Sequence, residues 1–308
     1  MTSIVFPGQG SQTVGMVKDF YDNFKIAKLI FEEIEDYTKI DLKKIIFENH
    51  DDKLNLTEFT QISIFAASYT LFKVYYTEIN IDRSAINVML GHSLGEYTAL
   101  ACCDRISLKD CSLILKKRGK LMNNAVPPNK TGMAALIGKE SVSIQNIIDK
   151  NSLNLEIAND NSNIQIVISG NINEIKKSEK IFLNNGIKKF VILNVSAAFH
   201  SKYMLNAQKE LSNDIENLIF KDNKIKIISN YDANVHSENK VIKINLQNQM
   251  ANKVNWTQSI KKLEDTGENK IIEIGPNKIL SGLIKRISNN FDIISINNIS
   301  DIKQYEFK

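Results

Sequence analysis

Proline is scarce in this chain, with 4 in 308 residues, and glycine is sparse at 13. That excludes a collagen-like or Pro/Gly-rich flexible chain. It also gives each remaining Gly and Pro weight, because local backbone geometry must demand it. Cysteine is nearly absent. There are 3, and Cys102 and Cys103 are adjacent. An odd count without metal spacing excludes a disulfide scaffold and a zinc knuckle, and no metal site is expected. Reduced thiols in a cytosol-like compartment are expected instead. No apolar run reaches the roughly 18 residues that span a bilayer, and no signal peptide is visible. The expected location is therefore cytoplasmic, or an organelle stroma if a transit peptide has been removed, with no membrane contact. A strong excess of one charge is also lacking, since 39 Lys and Arg oppose 35 Asp and Glu for a net +4. This mild basicity suits an acidic partner. It does not point to nucleic acid, because no basic stripe interleaved with aromatics occurs. What is there is ordinary globular material, 43% apolar and 24% charged. The length predicts one large core with an elaboration, or two subdomains.

Residues 3–6 read as a short apolar strand running into Pro7-Gly8-Gln9-Gly10-Ser11-Gln12. Helical periodicity marks 17–38 and 57–78, the second with Thr57 as N-cap. Residues 86–90 read as a buried strand, Gly91-His92-Ser93-Leu94-Gly95 follows, and a helix starts at Glu96. Another helix covers 107–123, with Pro127-Pro128 closing the segment. The texture then changes. Strands at 131–138, 154–158, 164–169 and 188–195 alternate with helices at 141–150 and 171–185, and Asn159–Asn163 reads as a turn. This β-α-β-β-α-β order is the ferredoxin-like pattern. It reads as an insertion, because the motifs on either side belong together chemically. Beyond it come a helix near 201–218, a strand at 225–230, a helix at 256–264, a strand at 270–274 and a helix at 277–288. The predicted class is α/β, with a large parallel-sheet unit (1–127 and 198–308) and an inserted small unit (128–197). No amphipathic stripe is left unassigned, so a monomer is expected.

Gly91-His92-Ser93-Leu94-Gly95 matches G-x-S-x-G. A serine on a tight strand-to-helix turn needs small residues two positions away on either side. The helix behind it aims N–H groups at developing negative charge. The competing reading is a Gly-rich turn with a surface serine. The serine needs a base, and the chain has 4 histidines. His92 adjoins the serine and points away from it. His50 lies in a polar run and His236 reads as surface. His200 follows Val195-Ser196-Ala197-Ala198-Phe199, a context that suits a cleft. The alternative for His200 is a capping or core role. Arg118 shares a helical stripe with Leu108, Cys111, Leu115 and Met122. A buried guanidinium needs an anion, either an internal carboxylate or a ligand. Alternatively Arg118 snorkels to solvent beside Lys116, Lys117 and Lys120.

Six motifs occur in register: Phe6-Pro7-Gly8-Gln9-Gly10-Ser11-Gln12, Gly91-His92-Ser93-Leu94-Gly95-Glu96-Tyr97, Arg118-Gly119, Ala198-Phe199-His200-Ser201, Gln249 ahead of Trp256, and Glu273-Ile274-Gly275-Pro276. Over about residues 4–288 the chain resembles the malonyl-CoA:acyl carrier protein transacylases of type II fatty acid synthesis. These are kin of polyketide synthase acyltransferase domains. The resemblance implies an α/β-hydrolase-like large unit and a ping-pong malonyl transfer from coenzyme A to acyl carrier protein. It implies Ser93 as nucleophile, His200 as base and then acid, and Gln249 orienting His200 through its side-chain carbonyl. Backbone N–H groups of Gln9 and Leu94 would form the oxyanion hole. Arg118 would hold the malonyl carboxylate, and Phe199 would crowd an α-methyl branch. No cofactor is implied beyond the two thioester-forming substrates. Lys188, Lys189 and Lys202 are candidate carrier contacts. Departures from the family pattern are Gln61-Ile62-Ser63 for Gln-Pro-Ala, Lys253 for a Pro, and Asn277 for a Gly.

Two other readings share some of these features. A serine esterase or thioesterase would share the elbow but would want a carboxylate behind His200, with Asp232 as a candidate. A silent interaction module would be expected to lack Ser93 or His200. A free-standing polyketide acyltransferase would carry the same motifs.

Overall fold

The computed structural model describes residues 2–78 and 83–305. Residue 1 and residues 79–82 and 306–308, which the sequence division places in the large unit, lie outside the described residues. Among the described residues, ten strands form two sheets: β1 (Thr2–Phe6), β2 (Ile86–Gly91), β3 (Thr131–Ile137), β4 (Leu155–Ser162), β5 (Gln165–Asn171), β6 (Lys189–Ile192), β7 (Lys226–Ile228), β8 (Val235–His236), β9 (Lys270–Ile274) and β10 (Asp292–Ile296). The large sheet runs β10-β9-β1-β2-β7-β8. It is parallel apart from the short β7–β8 pair.

Period-two alternation explains why this sheet is covered on both faces. Ile4 and Phe6 of β1, Met89 of β2, Ile227 of β7 and Ile272 and Ile274 of β9 enter one core. Helices Lys25–Thr38, Thr57–Glu78, Leu94–Cys102 and Leu108–Asn124 supply many of its other side chains. Val5, Val88, Leu90, Ile228 and Ile271 face the opposite way. They pack on Trp256, Ile260, Leu263, Leu280 and Leu283.

The small sheet is antiparallel, in the order β4-β5-β3-β6. That is the ferredoxin-like arrangement expected from the β-α-β-β-α-β order. Its residues Ala134, Leu136, Ile166 and Ile168 pack under helices Ser141–Lys150 and Ile172–Asn184. Met133, Ala135 and Val167 point to the other face and look toward the large unit.

Several boundaries depart from the sequence reading. The segment read as one helix over 17–38 is two, because Phe24 is extended (φ −119°, ψ 125°) and caps the break. Most of the Asn-rich run 159–163 is strand rather than turn, since β4 continues to Ser162 and the turn covers only Asn163–Ile164. Its backbone finds partners across the molecule: Asp160 N donates to Val254 O at 3.0 Å, and Val254 N donates to Ala158 O at 2.9 Å. The helix predicted at 277–288 spans only Ile279–Ile284. Helix Asn239–Asn248 and strand β10 were not foreseen.

Candidate active site

Strand register builds the site. Phe6 at the end of β1 pairs with Gly91 at the end of β2, so the loop 7–12 lies beside the elbow. Parallel sheets gather their loops at the carboxyl ends of the strands in this way. The approach is close enough to require glycine. A Cβ on Gly95 would stand 2.1 Å from Phe6 O, and one on Gly91 would stand 2.0 Å from the Gly95 carbonyl carbon. Ser93 itself takes φ 52°, ψ −106°, the strained turn that lifts its side chain over the sheet edge. Asn230, just beyond β7, pins this turn from both sides. Its Oδ1 accepts from Ser93 N at 2.6 Å, and its Nδ2 donates to Gly91 O at 2.7 Å.

Ser93 Oγ lies 2.8 Å from His200 Nε2. On the far side of the ring, Nδ1 faces two backbone carbonyls, Gln249 O and Asn252 O, each at 3.1 Å. Two acceptors there require a proton on Nδ1. The Nε2 lone pair is then free to accept the Ser93 proton. Burial, followed by the nearby Arg118 charge, pushes the His200 pKa down to about 3, so the ring is neutral at physiological pH.

The orienting contact differs from the one expected. The main-chain carbonyl of Gln249, not its side chain, holds His200. The Gln249 amide is taken up elsewhere: Nε2 donates to Ser93 O at 2.9 Å and to Glu96 Oε2 at 2.7 Å, and Oε1 accepts from Arg118 Nη2 at 3.0 Å. Gln249 closes helix Asn239–Asn248. Its carbonyl, at a helix end, accepts only a long 3.4 Å bond from Asn252 N and so keeps a lone pair for an imidazole N–H.

Arg118 is fully buried, which settles the choice between burial and snorkelling. It donates to Gln61 Oε1 at 2.7 Å, to Ser93 Oγ at 3.0 Å and to Gln249 Oε1, and its guanidinium carbon sits 5.3 Å from the centre of the Tyr97 ring. Every one of these partners is neutral. Among the described residues none offers it a carboxylate within ion-pair distance, and its Nε–H lacks a partner. Burial pushes its pKa down. A buried cation with neutral partners and a spare donor is a site prepared for an anion.

A cleft of about 470 Å³ opens over Ser93 and His200, between the large sheet and the inner face of the small one. Gln9, Ser93, Phe199 and His200 line it, and Met133 and Val167 form its roof. The N–H groups of Gln9 and Leu94 donate to none of the described residues, whereas neighbouring Ser11 and Gly95 N–H groups are internally bonded. Asn277, where the family pattern has Gly, has φ 64° and ties down the first loop by donating to Ser11 O at 2.8 Å. His92 points away from Ser93, as expected, and its Nε2 meets Asn161 Oδ1 at 2.8 Å. Asp232 pairs with His236 at 2.9 Å and so does not serve His200. His50 is exposed. Lys202 contacts Asn154 and Glu156 on the small unit.

Asn230, Glu96, Gln61 and Asn161 carry much of this geometry and were not assigned roles from the sequence. Glu96 had a signal, since a carboxylate in the first turn of the elbow helix is conspicuous among Leu, Gly and Ala. Asn230 and Asn161 had none in a chain so rich in asparagine.

A family model for the acyl transferase domain matches residues 4–304. The malonyl CoA-acyl carrier protein transacylase of Bacillus subtilis (strain 168) is 34% identical over 305 residues, covering 98% of this chain and 95% of that protein. The crystal structure of an acyl carrier protein S-malonyltransferase from Vibrio cholerae superposes with a TM-score of 0.92 at 32% identity, covering 98% of this chain and 99% of the other. A malonyl-transacylase solved in complex with a type II PKS acyl-carrier protein gives 0.93 at 31% identity, covering 98% of each chain. With its elbow, histidine and buried arginine set on this shared frame, the chain belongs to the acyl transferase domain family.

Proposed function

We propose that this protein is an S-malonyltransferase that moves malonyl from coenzyme A to the phosphopantetheine thiol of acyl carrier protein, supplying fatty acid synthesis in the cytoplasm. The observation that carries the substrate class is Arg118, a buried guanidinium with neutral partners 3.0 Å from the candidate nucleophile. Malonyl has a carboxylate two carbons from its reacting carbonyl, and that anion is what this position lacks. The named relatives, which share nearly the whole chain, support the same reading.

In the first half-reaction Ser93 Oγ attacks the thioester carbonyl while its proton passes to His200 Nε2. The Gln9 and Leu94 N–H groups receive the oxyanion. Loss of one such donor typically costs about 2.7–4 kcal/mol of transition-state stabilisation. The tetrahedral centre collapses to the Ser93 ester. The coenzyme A sulfur leaves with the proton that His200 accepted. The carrier thiol then gives its proton to His200 and attacks the ester, and Ser93 regains a proton as the ester breaks. Nucleophile, base and oxyanion donors are all supplied by the chain, so this scheme calls on no cofactor or metal. Arg118 would exchange its bond to Ser93 Oγ for a bidentate pair with the substrate carboxylate. Phe199, in the cleft wall, would crowd an α-methyl branch, and one methyl is worth about 1–3 kcal/mol of discrimination. The three cysteines are free and buried, and fit a reducing compartment.

An esterase reading is disfavoured by the ring partners of His200. Nδ1 meets two carbonyls, and the candidate acid Asp232 is engaged by His236. The deciding experiment is intact-protein mass after brief mixing with malonyl-CoA, then after addition of phosphopantetheinylated carrier. The expected result is a malonyl adduct that disappears onto the carrier. Hydrolysis with neither adduct nor loaded carrier would replace the transferase by a hydrolase.

A further inference from the structure

Three buried carboxylates stand in the large unit without an ion-pair partner among the described residues, Glu96, Glu268 and Glu273. Glu268 accepts from Asn87 Nδ2 at 2.7 Å near the start of β2, the end of that strand opposite the elbow. Glu273 has a structural use. It accepts from Leu280 N, Ser281 N and Ser281 Oγ, and so caps helix Ile279–Ile284. Glu96 lies in the first turn of the elbow helix and caps nothing. Its Oε1 accepts from Ser229 Oγ at 2.7 Å, and its Oε2 accepts from Asn230 N at 3.1 Å and Gln249 Nε2 at 2.7 Å. Burying a carboxylate is costly unless its lone pairs are used, and here two of its three donors belong to residues that touch Ser93 or Arg118.

The Gln249 amide is the informative partner. Its oxygen and nitrogen have nearly the same shape, so only the surrounding donors and acceptors choose which end faces which way. Arg118 can only donate. The amide oxygen must therefore face it, as observed, and the amide nitrogen must find acceptors on the other side. Those acceptors are Ser93 O and Glu96 Oε2. Without Glu96 the amide nitrogen keeps only Ser93 O as acceptor, and the flipped amide, which would set an NH2 group against the guanidinium and push it off its present position, is disfavoured less.

We propose, on the malonyltransferase reading, that Glu96 is a positioning residue that fixes the orientation of the Gln249 amide and so keeps Arg118 aimed at the space beside Ser93 Oγ where a substrate carboxylate binds. Glu96 acts from behind the guanidinium. It leaves the substrate-facing donors of Arg118 unneutralised, which a direct ion pair would not.

The test compares acyl-enzyme formation from malonyl-CoA and from uncharged acetyl-CoA in the full-length wild type, Glu96→Ala and Glu96→Gln. Glu96→Ala should lose at least about tenfold of the malonyl-over-acetyl preference. Glu96→Gln should keep most of it, because its amide oxygen still accepts from Gln249 and Asn230 while the Ser229 hydroxyl turns to accept. Equal loss of both substrates in Glu96→Ala, or an unchanged preference, overturns the proposal. So does a Glu96→Gln protein that loses the preference like Glu96→Ala. If Glu96→Ala does not fold, Glu96→Leu fills the volume without an acceptor and takes its place. Failure of both to fold makes Glu96 a purely structural carboxylate and overturns the proposal. A wild type with no preference for malonyl fails the transferase reading itself. That outcome is distinct from a discriminating wild type with equally discriminating variants.

Discussion

Ser93 Oγ donates to His200 Nε2 and accepts from Arg118 Nη2, so one oxygen joins the imidazole to the buried cation. Arg118→Lys keeps the charge but loses the planar fork. Losing one charge-assisted bond costs about 1.5–3 kcal/mol. Malonyl-enzyme formation should therefore slow by roughly 10- to 100-fold, with acetyl transfer less affected, in single-turnover rates. Ser93→Ala should abolish the adduct, and surviving label in intact-protein mass would remove Ser93 as nucleophile. His200, pushed down to about 3, should stay neutral and base-competent far below the ordinary imidazole range. The acid limb of acylation attributable to this group in the free enzyme should lie well below pH 6. A limb near 6.5 in the pH dependence of kcat/KM for malonyl-CoA would contradict the buried, Arg118-facing environment.

At the scale of elements, the decisive feature is how close strand β1, strand β2 and the elbow helix come. Gly95 packs on Phe6 O so tightly that a Cβ has no room. Gly95→Ala must push the first loop off the elbow. It should destabilise by about 3 kcal/mol or more, the upper end for overpacking, and cut acylation sharply by moving Gln9 N–H away from the proposed oxyanion position. Urea midpoints and adduct formation check the two effects separately. The strand-to-helix elbow was legible in the sequence because glycines at two fixed positions have one steric explanation. The helix ending at Gln249 was not legible. Its buried face is only Ile242, Asn245 and Leu246, too short and too polar a stripe to separate from a loop. Strand β10 was hidden for a similar reason. Five residues at the sheet edge give little pattern, and pairing with β9 supplies what propensity does not.

At the scale of the whole molecule, a polar seam joins the small sheet to the large unit. Thr257 Oγ1 contacts Asp160 O at 3.1 Å and Asp160 Oδ1 at 2.6 Å, and Asp160 is only 3% exposed. Thr257→Val leaves those acceptors without that donor and should cost about 1–3 kcal/mol in denaturant titration. Because β4 also carries Asn161 into the cleft wall, malonyl loading should slow as well. Buried His200 gives the fold a pH signature. Below pH 6.5 the unfolded chain takes up a proton on this residue, while the native chain waits until about 3. Its contribution to stability is thus fully present above 6.5 and is lost as pH falls toward 3. Urea midpoints at pH 7 and 5 should fall more in the wild type than in His200→Gln.

The sequence by itself determined the local features whose causes are local. These are the elbow, whose sterics demand Gly91 and Gly95, the β-α-β-β-α-β alternation of the small unit, and the helical spacing that put Arg118 on an apolar stripe. It also singled out His200, from context among few histidines, as the histidine that meets Ser93. Tertiary structure decided what each polar atom meets. It turned the Gln249 side chain to Arg118 and left its backbone carbonyl for His200. It brought Asn230 across 137 positions of chain to pin Ser93, and it drew an Asn-rich run into β4 by pairing it with Val254. The physical reason is that hydrogen-bond partners are chosen by burial and proximity. A residue's type fixes only how many partners it can take, and the sheet register fixes which ones are within reach.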